Sequence, residues 1–179
     1  NSAALAVAST IDNLIENGNI SNPLCQEFEE CNFVGLMNRT AQNLGLNQTY
    51  FVNATGLDES SGTSGAYGSA NDIAKLISHI LSNKPELLYP TAKPQYITLD
   101  DNGKQLYFDN TNPHVESIPG LRGSKTGFTD FAGGNLAITF DAGFDEMYVI
   151  VVLGSTEEDR FSDVSKLYAA TLEYLASNN

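Results

Sequence analysis

Positive charge is scarce in this chain of 179 residues: 9 Lys and Arg stand against 22 Asp and Glu, a formal net charge of −13. A surface of that sign repels phosphate backbones and anionic headgroups, which argues against nucleic-acid binding and a polybasic membrane role. Long apolar runs are missing too. The longest, Met147 to Leu153, falls far short of the roughly 20 residues a membrane span needs. The two cysteines, Cys25 and Cys31, make no CxxC, and the two histidines, His79 and His114, lie far from them and from each other. Zinc sites draw three or four ligands from close clusters, so neither a metal nor a cofactor is expected. The cysteines read equally as two buried thiols or as a short-loop disulfide, the latter a mark of an oxidising compartment. Neither a charged-then-apolar leader nor an initiating Met opens the chain. It starts at Asn1 in helical register, as a processed or truncated product would.

Apolar residues make up 41% and charged ones 17%, an ordinary globular balance. Periodicity predicts a helix over 2–17, on Ala4, Leu5, Val7, Ala8, Ile11 and Leu14, and a second over 33–44 stopped by Gly45. Residues 47–68 read as irregular. A third helix carries Ile73, Leu76, Ile77, Ile80 and Leu81 on one face, with His79, Asp72 and Lys75 on the opposite, solvent side. Beyond residue 93 the period changes. Gln95–Leu99 and Gln105–Phe108 flank Asp-Asn-Gly-Lys and read as a hairpin. Segments near Gly123–Phe128, Asn135–Phe140 and Met147–Leu153 suit three antiparallel strands, and 158–176 a closing amphipathic helix. The fold class is α+β, with a mainly helical lobe over 1–93 and hairpin, sheet and helix over 94–179.

The strongest local signal is Gly123-Ser124-Lys125-Thr126-Gly127. Lys-Thr-Gly is one of three elements of penicillin-interacting serine enzymes, beside Ser-x-x-Lys and Ser-x-Asn. A cation and a hydroxyl on a strand edge can hold a carboxylate, while the strand's own N–H faces a developing oxyanion. Its plain alternative is a solvated edge lysine. Further stretches extend the pattern: Asn32-Phe33-Val34-Gly35-Leu36-Met37-Asn38, Thr55-Gly56-Leu57-Asp58, Tyr67-Gly68-Ser69-Ala70-Asn71-Asp72, Asn110-Thr111-Asn112 and Ile118-Pro119-Gly120-Leu121-Arg122. In this order, over nearly the whole chain, they resemble the serine-type D-alanyl-D-alanine carboxypeptidase family.

The resemblance implies a β-lactamase-like fold with a helical lobe beside an antiparallel sheet. It also implies an extracytoplasmic bacterial enzyme that trims peptidoglycan stem peptides and takes β-lactams at the same site. By the same resemblance Lys125, Thr126 and Gly127 line the cleft, the backbone N–H of Phe128 is an oxyanion donor, and Arg160 helps hold the substrate's carboxylate. A surface ion pair is the other reading of Arg160. Export would favour a bridge between Cys25 and Cys31.

One element departs from the family. The residues three before the lysines at 75, 84, 93, 104, 125 and 166 are Asp72, Leu81, Pro90, Asp101, Arg122 and Asp163. No Ser-x-x-Lys exists here, and a serine nucleophile needs that neighbouring base. In the family Ser-x-Asn runs into an Ala-rich helix, so Asn1 reads as its last residue and the chain as a C-terminal portion lacking the nucleophile. The partner it then requires is the missing N-terminal segment of the same protein. Ser69-Ala70-Asn71 also spells Ser-x-Asn, but Ser69 before Asp72 reads as a helix cap. Two further readings compete: a non-catalytic peptidoglycan- or partner-binding module, and a β-lactamase, for which no motif supplies the deacylating glutamate.

Overall fold

The structure, a computed structural model, describes residues 1–18, 32–143 and 145–178. Cys25 and Cys31 lie outside the described residues. The chain forms two compact units, one of Asn1–Asp72 with Thr129–Phe131, the other of Ile73–Phe128 with Ala132–Asn179. The division falls in the first turn of a helix, and not at residue 93 where the sequence period changes.

The first unit contains α1 (Ser2–Glu16), α2 (Phe33–Asn43) and the short strands β1 (Tyr50–Phe51) and β2 (Ala66–Tyr67). The Phe33 amide donates to Asp12 Oδ1 at 2.6 Å, tying the two helices together. Asn32 caps α2 by accepting from the Gly35 amide at 2.8 Å. Gly45, at φ +67, lets the chain leave it through the left-handed region. The stretch read as irregular holds one minimal strand pair, Tyr50 opposite Tyr67 and Phe51 opposite Ala66, too short to leave a period. Side-chain amides organise it. Asn38 donates to the Phe51 carbonyl at 2.8 Å and accepts its amide at 2.7 Å, as a neighbouring strand would. Asn53 Oδ1 accepts from the amides of Thr55 and Gly56, and the carboxylate of Asp58 accepts from the Thr129 hydroxyl at 3.0 Å.

Helix α3 (Ala70–Asn83) starts at Ser69, whose hydroxyl accepts from the Asp72 amide at 3.2 Å, so the capping chemistry read from the sequence is in place. Asp72 itself corrects the helical pattern. It is 2% exposed, because its carboxylate accepts from the Gln48 amide at 2.7 Å and the Thr49 hydroxyl at 3.1 Å. Loop donors thus contribute to its solvation. His79 on the same helix is exposed.

In the second unit, β3 (Gln95–Leu99) pairs with β4 (Gln105–Asp109) in an antiparallel hairpin. Asp100 Oδ1 closes its turn by accepting from the amides of Asn102 and Lys104, both at 2.9 Å. The second sheet runs β5 (Leu121–Thr129), β6 (Gly133–Asp141), β7 (Met147–Ser155), with β6 antiparallel to β7. The link of residues 130–132 is too short for a parallel crossover, so β5 and β6 also form a hairpin. Helix α4 (Asp159–Asn178) covers one face. Leu136, Ile138 and Phe140 point to it at period 2 and meet Ile118, Ile150 and Val164 in the core. Each such side chain, fully buried, contributes about 1.5–3 kcal/mol. Among the described residues no helix is long and apolar enough to cross a membrane.

Candidate active site

Strand β5 carries the site, and its neighbours fix the strand. Gly123 is required by close approach, since a Cβ there would lie 2.9 Å from Leu88 Cβ. Next to it Ser124 is locked to Thr91: its amide donates to the Thr91 hydroxyl at 3.0 Å and its own hydroxyl to the Thr91 carbonyl at 2.8 Å. Asn110 adds a second tie, donating to the carbonyls of Thr91 at 2.7 Å and Lys93 at 2.9 Å. Its Oδ1 accepts from the Asn112 amide at 2.9 Å. This presents Thr111, whose hydroxyl stands 2.5 Å from that of the buried Thr126. The sequence flagged Asn110-Thr111-Asn112 without a role; the structure makes Thr111 the partner of Thr126.

Lys125 alternates to the other face of β5, exposed overall, with its ammonium turned back to donate to the Thr126 carbonyl. Burial of the ammonium, and then the nearby charge of Arg160, hold its pKa below the ordinary lysine value. That departs from a freely solvated edge charge. Arg160, in the first turn of α4, is 7% exposed, which overturns the surface ion pair. Its Nη1 donates to the Gly127 carbonyl at 2.7 Å, and its guanidinium lies 4.8 Å from the Phe161 ring centroid. Among the described residues, the buried Arg160 Nε has no hydrogen-bond partner. Among the described residues no carboxylate pairs with Lys125 or Arg160.

The sheet therefore gathers Lys125, Thr126, Gly127, Phe128 and Arg160 within one compact unit. Asn1 belongs to the other, at the N-cap of α1; its carbonyl accepts from the Leu5 amide at 3.1 Å, and its side chain caps no N–H of the helix. A groove of about 290 Å³ beside β5 is lined by Ser124, Lys125 and Thr126, by Thr111, and by Tyr96, Phe108 and Asp109 of the hairpin. Among the described residues there is no cluster of metal-ligating side chains.

The sequence is 31% identical over 156 residues to the D-alanyl-D-alanine carboxypeptidase DacF of Bacillus subtilis, covering 86% of this chain and 39% of that protein. It is 33% identical over 141 residues to DacC of Escherichia coli, covering 75% of this chain and 32% of that one. The chain thus spans about a third of the length of these curated relatives. Among solved structures, penicillin-binding protein D2 from Listeria monocytogenes in its ampicillin-bound form matches with TM-score 0.64 and 40% identity, over 75% of this chain and 54% of that one. A Streptomyces K15 DD-transpeptidase variant matches with TM-score 0.64 and 28% identity, over 79% and 55%. The fold is that of penicillin-binding proteins and DD-peptidases, α+β as the sequence implied. The model of the D-alanyl-D-alanine carboxypeptidase family matches residues 29–157, and the chain belongs to that family.

Proposed function

We propose that residues 1–179 hold the carboxylate-binding side of a serine-type D-alanyl-D-alanine carboxypeptidase, a bacterial enzyme working outside the cytoplasm on peptidoglycan stem peptides. One observation carries this reading. Lys125 and Arg160 meet the same stretch of β5, through the carbonyls of Thr126 and Gly127, with no acidic partner among the described residues in a chain of net charge −13. Two cations left uncompensated at adjacent carbonyls of β5 await an anion, and a peptide's terminal carboxylate supplies one. In the reaction a serine hydroxyl adds to the penultimate carbonyl, whose oxyanion the Phe128 N–H receives. The peptide bond breaks, the departing D-alanine nitrogen takes a proton, and water hydrolyses the ester. β-Lactams acylate the same serine, a reading supported by the ampicillin-bound Listeria neighbour. The serine is outside these 179 residues, which contain no Ser-x-x-Lys, so this chain alone neither forms a penicillin adduct nor releases D-alanine.

The test uses the intact protein encoded by the complete gene and a fluorescent penicillin. Lys125→Ala removes a charge-assisted contact of about 1.5–3 kcal/mol, and acylation slows roughly 10- to 150-fold. Lys125→Arg restores part of the rate, because charge survives while geometry changes. A folded Lys125→Ala protein acylating at the wild-type rate refutes the site. An intact wild-type protein that binds stem peptides yet forms no adduct is a non-catalytic module.

A further inference from the structure

The sequence singles out Thr55-Gly56-Leu57-Asp58, and the reaction above gives it no part. The loop around it is braced from within. Asn53 Oδ1 accepts from the Thr55 amide at 3.0 Å and the Gly56 amide at 2.8 Å, while its Nδ2 donates to the Leu57 carbonyl at 2.8 Å. Gly65 packs so closely that a Cβ there would collide with the Leu57 carbonyl oxygen. The loop delivers a half-buried Asp58 carboxylate to the turn after β5, inside the same compact unit. Both oxygens are used. Oδ1 accepts from the Thr129 hydroxyl at 3.0 Å and Oδ2 from the Phe131 amide at 3.2 Å. An ionised carboxylate is a strong acceptor, and a two-point grip fixes orientation as well as distance.

The gripped segment begins next to Phe128. The Phe128 N–H shares its peptide plane with the Gly127 carbonyl, which accepts from Arg160 Nη1 at 2.7 Å. A planar trans peptide sets that N–H antiparallel to the carbonyl. Arg160 therefore holds the donor's plane from the preceding side, and Asp58 holds the chain on the following side, at Thr129 and Phe131. The Phe128 side chain does little of this, since the residue is 43% exposed. An oxyanion donor is most effective when it is in place before charge develops, so that no reorganisation is needed during the reaction.

We infer that Asp58 is a positioning residue of the oxyanion donor: its carboxylate holds the turn between β5 and β6 so that the Phe128 N–H stays aimed at the reacting carbonyl. The inference rests on the carboxypeptidase reading, because the role of the Phe128 N–H comes from it.

The experiment is stopped-flow acylation of the intact protein by a fluorescent penicillin, which separates noncovalent affinity from the acylation rate constant, with thermal melts beside it. Asp58→Ala lowers the rate constant roughly tenfold, a part of the roughly 10²–10³ that outright loss of an oxyanion donor costs, and leaves noncovalent affinity within about twofold. Asp58→Asn keeps an acceptor for the Thr129 hydroxyl but sets an amide donor against the Phe131 N–H, so its rate constant falls between the two. Thr129→Val removes one grip alone and slows acylation roughly threefold, the equivalent of a neutral hydrogen bond. If Asp58→Ala fails to fold, Asp58→Asn and Thr129→Val carry the test. Wild-type rate constants in the folded variants overturn the inference and leave the carboxypeptidase reading standing. A loss confined to affinity, or one that only follows the folded fraction in the melts, also overturns it. If the wild-type protein forms no adduct, the carboxypeptidase reading fails, and the role of Asp58 with it.

Discussion

Replacing Asn110 by Ala isolates how the site strand is held. The side chain makes three hydrogen bonds, to the carbonyls of Thr91 and Lys93 and from the Asn112 amide. Thr91 in turn grips Ser124 through both its hydroxyl and its carbonyl. One amide thus links residues 91–93, 110–112 and 124–126. Each bond contributes about 0.5–1.5 kcal/mol net, and the exposed Lys93 end can regain water, so the loss is about 2 kcal/mol. For a chain of this size that lowers the melting temperature by about 4–8 °C. Thr111 also loses its fixed position 2.5 Å from Thr126. Penicillin acylation by the intact protein then slows about fivefold, the equivalent of one neutral hydrogen bond. Asn110→Asp is the sharper control: it keeps size and acceptor, loses both donors, and sets a carboxylate against two carbonyls. It destabilises at least as much as Ala. Thermal melts, hydrogen exchange at the Asn112 amide and acylation rates are the measurements. Wild-type melting and acylation in Asn110→Ala, or wild-type stability in Asn110→Asp, would refute the reasoning.

Two more outcomes follow from the same geometry. Because burial and Arg160 lower the pKa of Lys125, affinity for a carboxylate ligand falls as pH rises through that lowered value, earlier than an ordinary lysine would allow. Between the folded and unfolded values the unfolded chain binds more protons, so this group's contribution to stability rises with pH there. Lys125→Arg flattens both profiles, and an unchanged affinity profile in that variant removes Lys125 from the ligand. Gly134→Ala puts a Cβ 1.9 Å from the Thr156 carbonyl oxygen, a backbone atom that cannot yield locally, and costs about 3 kcal/mol or more in urea denaturation. Gly127→Ala meets nothing nearer than Asn135 Cβ at 3.8 Å and stays within about 0.5 kcal/mol of wild type. Equal midpoints for the two variants contradict the packing.

The sheet and its covering helix were legible because their signals are local and long. Leu136, Ile138 and Phe140 alternate on one strand, and Val164 with Tyr168 repeats the helical period that meets them. The hairpin was legible from its turn residues, and Asp100 shows why, since its carboxylate supplies the acceptor the turn requires. What escaped has its cause at a distance. Asp72 follows the polar face of α3, yet it is buried and held by loop residues more than twenty positions earlier. Thr111 and Thr126 meet across fifteen positions through an asparagine whose partners lie further back still. No helical or strand period encodes such contacts. Side-chain amides that replace backbone partners, as Asn38 does for Phe51, leave no period either.

Arg160 shows a different kind of illegibility, and it bears on function. By local rules it is a poor choice. A cation in the first turn of α4 faces the positive end of the helix dipole, at a cost of about 0.3–1 kcal/mol. Burial to 7% exposure removes most of its hydration, and one guanidinium nitrogen, Nε, finds no acceptor among the described residues. A second cation, Lys125, lies close enough for Arg160 to lower its pKa. Each of these features opposes stability, and the described residues offer no carboxylate to offset them. On the reading proposed above, a bound carboxylate offsets them by accepting from the guanidinium and neutralising the pair. Conflicts between local preference and native position are expected where a sequence serves a ligand and not the fold alone. Here the conflict falls on the residue that the family resemblance had assigned to the substrate's carboxylate.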